Sequence, residues 1–277
     1  MDIGILGPLV VRGVGGDAAP TAPKPRQVLA LLAVAVDRGV SMGTLIDEVW
    51  ECWPPSSAVT AVQTYVSQLR RALAKALQVT PSEVVRDVLP FTGQGYRLVP
   101  GAGAQDVKAF MHFANAGREA LAEQDNVRAA ALLRRALQLW RGPVLADVRL
   151  GPHLLMHRTS LDEYRVATIE RRVEADLRLG RHHELVGELC SLVLKHPLHE
   201  NLRSQFMLAL YRAGRTADAI GTYETFRKEL LAELSVPPSR RIRELRQSIL
   251  LADPRLESET QSRLFRLELT QVLEPAH

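Results

Sequence analysis

Apolar residues recur between positions 59 and 76 at Val59, Val62, Val66, Leu69, Leu73 and Ala76, spaced 3, 4, 3, 4 and 3 apart. That rhythm fits one face of an α-helix and no strand, so it commits about five turns of chain to a single helix with one buried stripe. The other faces carry Thr60, Gln63, Thr64, Ser67, Gln68, Arg70, Arg71 and Lys75. No acidic residue occurs from Cys52 to Ser82. Hydroxyls, amides and cations are the groups that pair with base edges and phosphates. A polar outer face is by itself most often plain solvated surface, so the flanking chain has to carry the argument.

Those flanks supply a series. Ile3, Ile5, Leu9 and Val11 alternate about Gly7-Pro8, which predicts a β-hairpin or meander. From Pro25 the pattern turns helical, with Val28, Leu31, Leu32 and Ala35 on one face and Gly39 as the stop. Ser41 can cap a short second helix whose apolar face is Leu45, Ile46, Val49 and Trp50, and Cys52-Trp53-Pro54-Pro55 forbids its continuation. Ser57 can cap the third helix, from Ala58 to Leu77. Beyond it, Val84-Val85-Arg86 reads as a strand, and Thr92 to Val99, with Gly93 and Gly95, as a hairpin. Strands, three helices and a hairpin in this order make a winged helix-turn-helix, whose second helix of the pair enters the major groove.

Charge permits this reading without demanding it. The net charge is +4 for 277 residues and +1 for residues 1–100, so there is no cationic nucleic-acid tail. What a phosphate backbone meets is local charge, and that is what the acid-free window provides. With 46% hydrophobic and 24% charged residues, the chain is expected to be folded and soluble, with about two domains. The opening MDIGILGPLVVRG lacks the basic region and long apolar run of a signal peptide, and no run of 18 apolar residues follows, so a cytoplasmic protein without a membrane span is expected. Cys52 and Cys190 stand 138 positions apart with no metal-ligand spacing and are expected to be unpaired packing residues.

After a short linker, Gly101 to Ala104, the strand signals vanish. LGRHHEL (179–185) and AGRTADA (213–219) place Gly180-Arg181 and Gly214-Arg215 34 residues apart, the period of the tetratricopeptide repeat. Each pair is expected in a turn between helices, where glycine closes the first helix at no Cβ cost. Leu185, Leu189, Leu192, Val193, Leu202, Phe206, Leu210, Tyr211, Ala219, Ile220, Tyr223 and Phe226 would form the buried faces of stacked helix pairs, about three of which fit between Asp106 and Ala252. The fold class expected is therefore α+β and then all-α: residues 1–100 a winged helix-turn-helix, 106–252 a tetratricopeptide-like domain, and 253–277 a tail. Leu264, Leu267 and Leu269 suggest a last helix in that tail, ended by Pro275.

Several phrases carry a resemblance. KPRQVLALL (24–32), LIDEVW (45–50), AVQTYVSQLRRAL (61–73) and GQGYRL (93–98) are similar to the DNA-binding domain of the Streptomyces antibiotic regulatory protein family. LWRGPVLADV (139–148), LDEYRVATIERRVEADLRLGRH (161–182), HPLHENLRSQFMLALYRAGR (196–215) and SVPPSRRIRELRQSIL (235–250) resemble the bacterial transcriptional activation domain that follows it in that family. The resemblance implies an activator of a secondary-metabolite gene cluster that binds promoter DNA at direct repeats near the −35 region as a homodimer and recruits RNA polymerase with its sigma factor. Thr60, Gln63, Thr64, Ser67 and Gln68 would lie nearest base edges, with Arg70, Arg71 and Lys75 reaching phosphates. Lys24 and Arg26, taken to precede the first helix, would also meet phosphate, along with that helix's N-terminal amides. The hairpin Thr92 to Tyr96 would be the wing. Its tip shows Thr92 and Gln94 where related wings often place a cation. Trp53, in the loop from Glu51 to Ser57, is the candidate for touching the polymerase, with simple packing as its alternative.

Enzyme chemistry finds little support. The sequence has no GxxxxGK[ST], no GxGxxG after a strand and no GxSxG. His153 and His157 are four apart without a third ligand, and His182-His183-Glu184 lacks the second histidine of a zincin, so packing or surface roles are favoured and no metal or cofactor is expected. No phosphoacceptor aspartate or ATP switch is expected either. The competing class is a helical-repeat adaptor that binds proteins and never DNA, which explains residues 105–252 but leaves the third helix's polar face unused. A nucleic-acid-binding enzyme is a third class, disfavoured by the missing catalytic sets.

Overall fold

The computed structural model describes residues 1–257; the helix expected around Leu264, Leu267 and Leu269 lies outside them. The chain opens with an antiparallel meander of β1 (Asp2–Gly4), β2 (Val10–Gly13) and β3 (Gly16–Asp17), with Ile3 opposite Val11. Then come α1 (Pro23–Val34), β4 (Gly39–Ser41), α2 (Met42–Trp50) and α3 (Ala58–Leu77). A short turn, α4 (Pro81–Glu83), runs into a π-helical turn at Val84–Val88, and β5 (Gly95–Arg97) returns to pair with β4, Val40 opposite Tyr96. The helix-turn-helix with its wing is therefore present.

Local departures from expectation have physical causes. The strand expected at Val84–Arg86 is helical because Thr80 and Glu83 form a capping box. The Thr80 hydroxyl accepts from the Glu83 amide at 3.3 Å, and the Glu83 carboxylate accepts from the Thr80 amide at 2.7 Å. A helical turn is thus nucleated just before the two valines, and Leu89 closes it with an amide bond of 2.7 Å to the Val84 carbonyl. Gly39 does not stop the first helix, which ends at the C-cap Ala35; Gly39 starts β4 instead. Gly95 is required by close approach, since a Cβ there would lie 1.9 Å from the Val40 carbonyl oxygen. Ser41 caps α2 as expected, accepting from the Thr44 amide at 3.0 Å.

The remaining helices are α5 (Asp106–Ala122), α6 (Asn126–Gln138), α7 (Pro152–Arg178), α8 (His182–Lys195), α9 (Glu200–Arg212), α10 (Thr216–Leu234) and α11 (Arg240–Leu250). By contacts the chain forms two compact units. The first takes Met1–Asn115 and Arg135–Ala167; the second takes Ala116–Arg134 and the described residues from Thr168 on. In the first unit, Leu6, Leu29, Leu32, Leu45, Leu69 and Leu73 share one core with Phe110, Trp140, Leu145 and Leu154. The winged helix therefore packs on residues 135–167 as on a part of itself.

Three carboxylates join these segments. Asp106 accepts the amides of Ile5 and Leu6 at 3.0 and 2.9 Å and pairs with Arg141. Asp147 accepts the Leu9 amide at 2.8 Å and pairs with Arg26. Glu48, 1% exposed, accepts the amides of Gly151, His153 and Leu154 at 2.6, 2.9 and 3.1 Å, so a side chain of α2 caps the start of α7. Gln27 reinforces it by donating to the Glu48 carbonyl at 2.7 Å. Gly151 leaves room for this approach, since a Cβ there would meet the Glu48 carbonyl oxygen at 2.1 Å.

In the second unit the repeated turns match in detail. Gly180 and Gly214 have φ of 78° and 75°. The amides of Gly180 and Arg181 bond the carbonyls of Leu177 and Asp176, and those of Gly214 and Arg215 bond the corresponding Tyr211 and Leu210. Such paired closures are what a left-handed glycine at a helix end permits. Met207, Leu210, Ala219, Tyr223, Phe226 and Ile242 are buried between the helices. Among the described residues no helix is long and apolar enough to cross a membrane. Cys52 and Cys190 are free as expected but exposed, so neither is a packing residue.

Candidate nucleic-acid interface

Helix α3 buries Ala58, Val62, Val66, Leu69, Leu73 and Ala76. Its stripe differs from expectation at one end: Val59 is 46% exposed, and Ala58, four residues before Val62, takes the inner place. Ser57 stands at the N-cap, but its hydroxyl makes no capping bond. Twenty residues give the helix a length of about 30 Å. Thr60, Gln63, Thr64, Ser67, Gln68, Arg71 and Lys75 are all exposed, and at 100° per residue they occupy an arc of about 140°. Of these, only the Thr64 side chain is engaged among the described residues, donating to the Thr60 carbonyl at 2.9 Å.

Three other expected contacts fall elsewhere, and a fourth, Lys24, is placed within its helix rather than before it. Arg70 turns away from the outer face; its Nε and Nη2 donate to the Leu89 carbonyl at 3.1 and 2.8 Å, and its guanidinium lies 5.4 Å from the centre of the Tyr96 ring. Tyr96 is 6% exposed and belongs to the core rather than the wing surface. Arg26 is held by Asp147 and by the Pro20 carbonyl at 3.0 Å, so it is a strut between segments and not a free cation. Lys24 and Arg26 lie within α1 rather than before it, and prolines at 23 and 25 leave few of that helix's first amides able to donate. Lys24 itself is exposed. Its ammonium sits 4.8 Å above the Trp50 ring, which stacks on Tyr65 of α3 at 6.3 Å, so it is held beside the polar helix.

At the wing, Thr92, Gly93 and Gln94 are exposed, and the Thr92 amide closes the turn on the Gly95 carbonyl at 2.9 Å. Two exposed cations were missing from the expected set: Arg97, on β5, and Arg38, just before β4. Arg97 was legible by alternation, since a buried aromatic at 96 turns its neighbour outward in a strand. Phe91 is 56% exposed beside them. In the loop between α2 and α3, every residue from 51 to 57 is exposed and Trp53 reaches 88%, so the packing alternative for that tryptophan is not realised.

The histidines serve other ends. His153 Nε2 pairs with Asp47 at 2.9 Å, and burial, with His153 nearby, lowers the pKa of His157. Among the described residues no three potential ligands gather for a metal.

The chain matches the family described as bacterial transcriptional activator domain over residues 105–250, and that described as transcriptional regulatory protein, C terminal, over residues 16–98. It is 43% identical to the regulatory protein DnrI of Streptomyces peucetius, covering 93% of this chain and 94% of that one. It is 41% identical to the regulatory protein AfsR of Streptomyces coelicolor over 91% of this chain, which spans 24% of AfsR. Among solved structures it resembles Mycobacterium tuberculosis EmbR, determined in complex with a low-affinity phosphopeptide, with a TM-score of 0.84 and 35% identity over 91% of this chain and 65% of that one.

Proposed function

Because this chain belongs to the Streptomyces antibiotic regulatory protein family and is a transcriptional regulator, we propose that it activates a secondary-metabolite gene cluster by reading promoter DNA with α3. The observation that carries this reading is the outer face of α3, where seven exposed polar or cationic residues share one arc with no carboxylate among them. Thr60, Gln63, Thr64, Ser67 and Gln68 face base edges; Arg71, Lys75 and the flanking Lys24 meet phosphates. Thr92 and Gln94 at the wing tip lie along the neighbouring backbone, with Arg38 and Arg97 as cations at its base. Residues 1–100 carry recognition, and residues 106–252 carry activation.

A module of this size buries about 600–1,000 Å² on DNA, which is modest for specific recognition. Two copies on direct repeats near the −35 region would combine their contacts. Trp53, the most exposed large apolar side chain described, is suited to the polymerase holoenzyme with its sigma factor. The test is selection of bound duplexes from a random pool with the full chain at about 150 mM salt, where weak nonspecific phosphate contacts are screened. A short motif repeated at one helical turn is expected, and its binding should be lost on combined Gln68→Ala and Arg71→Ala substitution with the fold intact. Recovery of no sequence would instead favour the protein-binding adaptor.

A further inference from the structure

We propose that Phe91 is a DNA contact: its ring packs against the deoxyribose edges of the minor groove beside the wing, an apolar anchor at a wing whose tip has no cation. The inference rests on the DNA-reading function argued above and deepens it. Phe91 is 56% exposed, two residues along the chain from the fully buried Leu89. It is nonetheless tied to the core by contacts on both backbone and ring. Phe91 bridges Tyr96 across the turn, and the two rings meet edge to face with centroids 5.4 Å apart. Tyr96 is braced from the other side by Arg70, which is fixed to the Leu89 carbonyl. A chain of contacts therefore runs from α3 through Arg70 and Tyr96 to Phe91, so the ring's position is set by the helix that would occupy the adjacent major groove. The tip residues Thr92 and Gln94 can make hydrogen bonds but carry no charge. Apolar side chains are a known means of engaging the minor groove, and a held aromatic ring loses little conformational freedom on binding.

An apolar contact releases no counterions, so it is separable from the cationic ones. The probe is the duplex recovered by selection, titrated with the full chain by fluorescence anisotropy from about 50 to 200 mM salt. Phe91→Ala is expected to weaken binding about tenfold, the worth of one good contact, with an unchanged salt slope. Hydroxyl-radical protection of the deoxyriboses beside the wing should vanish while protection opposite α3 persists. Phe91→Leu, which keeps apolar bulk against Tyr96, should retain most of the affinity and serves as the control for folding of the wing. Wild-type affinity in Phe91→Ala, or loss of protection along the whole site, overturns the contact. A wild-type chain that selects no duplex overturns the underlying reading and this contact with it.

Discussion

The two sides of the winged helix use polar residues in opposite ways. On the side toward residues 135–167, Glu48, Asp106 and Asp147 are each spent on backbone amides, and Arg26 and Arg141 on the last two carboxylates. On the outer side of α3, Gln63, Ser67, Gln68, Arg71 and Lys75 make no side-chain hydrogen bond or ion pair within the described residues. A buried polar group without a partner costs stability, and the inner carboxylates are matched within the chain. The outer ones cost nothing in water. The contrast teaches which polar residues hold this unit together and which are left for a partner.

Removing the most deeply spent group should have the largest effect. Glu48→Ala leaves the amides of Gly151, His153 and Leu154 without their acceptor and opens space beside Gln27. A destabilisation of about 3–5 kcal/mol is expected in urea unfolding of the full chain, in the range for breaking a buried charged network. A loss under about 1 kcal/mol would mean that the amides find water instead, and the inner half of the comparison would fail.

Two arginines that look alike in sequence should then separate. Arg71→Ala is expected to weaken specific binding about tenfold and reduce the salt slope by about one, with stability unchanged. Arg26→Ala should do the reverse, lowering stability while leaving the salt slope as it was. Equal salt slopes for the two variants would erase the distinction between spent and unspent cations.

This pair also marks how far the sequence could be read. The inner stripe of α3 and the turns at Gly180 and Gly214 were legible because they are local and periodic: a 3.6-residue rhythm and a 34-residue recurrence each repeat within one stretch of chain. Glu48 was silent because its partners lie 103 to 106 residues away and no pattern announces them. Residue type marks Arg26 and Arg70 as phosphate ligands because it gives a long side chain's charge but not where its head goes. Strand β4 has only three residues, too few for alternation to show, and it is specified by the closeness of Gly95. At Val84 and Val85, β-branched residues suggested a strand, and the capping box before them decided otherwise.

The rule that buried polar groups are matched has exceptions among the described residues, and one of them gives the smallest predicted effect. His182, at the start of α8, is 6% exposed, and its Nδ1 has no hydrogen-bond partner among the described residues. Burial lowers its pKa, helped by His183 and Arg212, so the folded chain holds the ring neutral. Above the ordinary value of 6.5 both folded and unfolded chains are neutral there, and its contribution to stability is fully present. As pH falls below that value the unfolded chain takes the proton first, and stability declines until the folded pKa is reached. The limiting slope is about 1.4 kcal/mol per pH unit for one site. Carboxylates and the other histidines titrate in any variant, so the signal is the difference between wild type and His182→Gln measured by urea unfolding from pH 7 to about 5. Wild type should lose more stability than the variant on acidification. Parallel curves would mean that the ring is protonated equally in both states, and that a buried nitrogen without a partner costs this domain less than the rest of its interior implies.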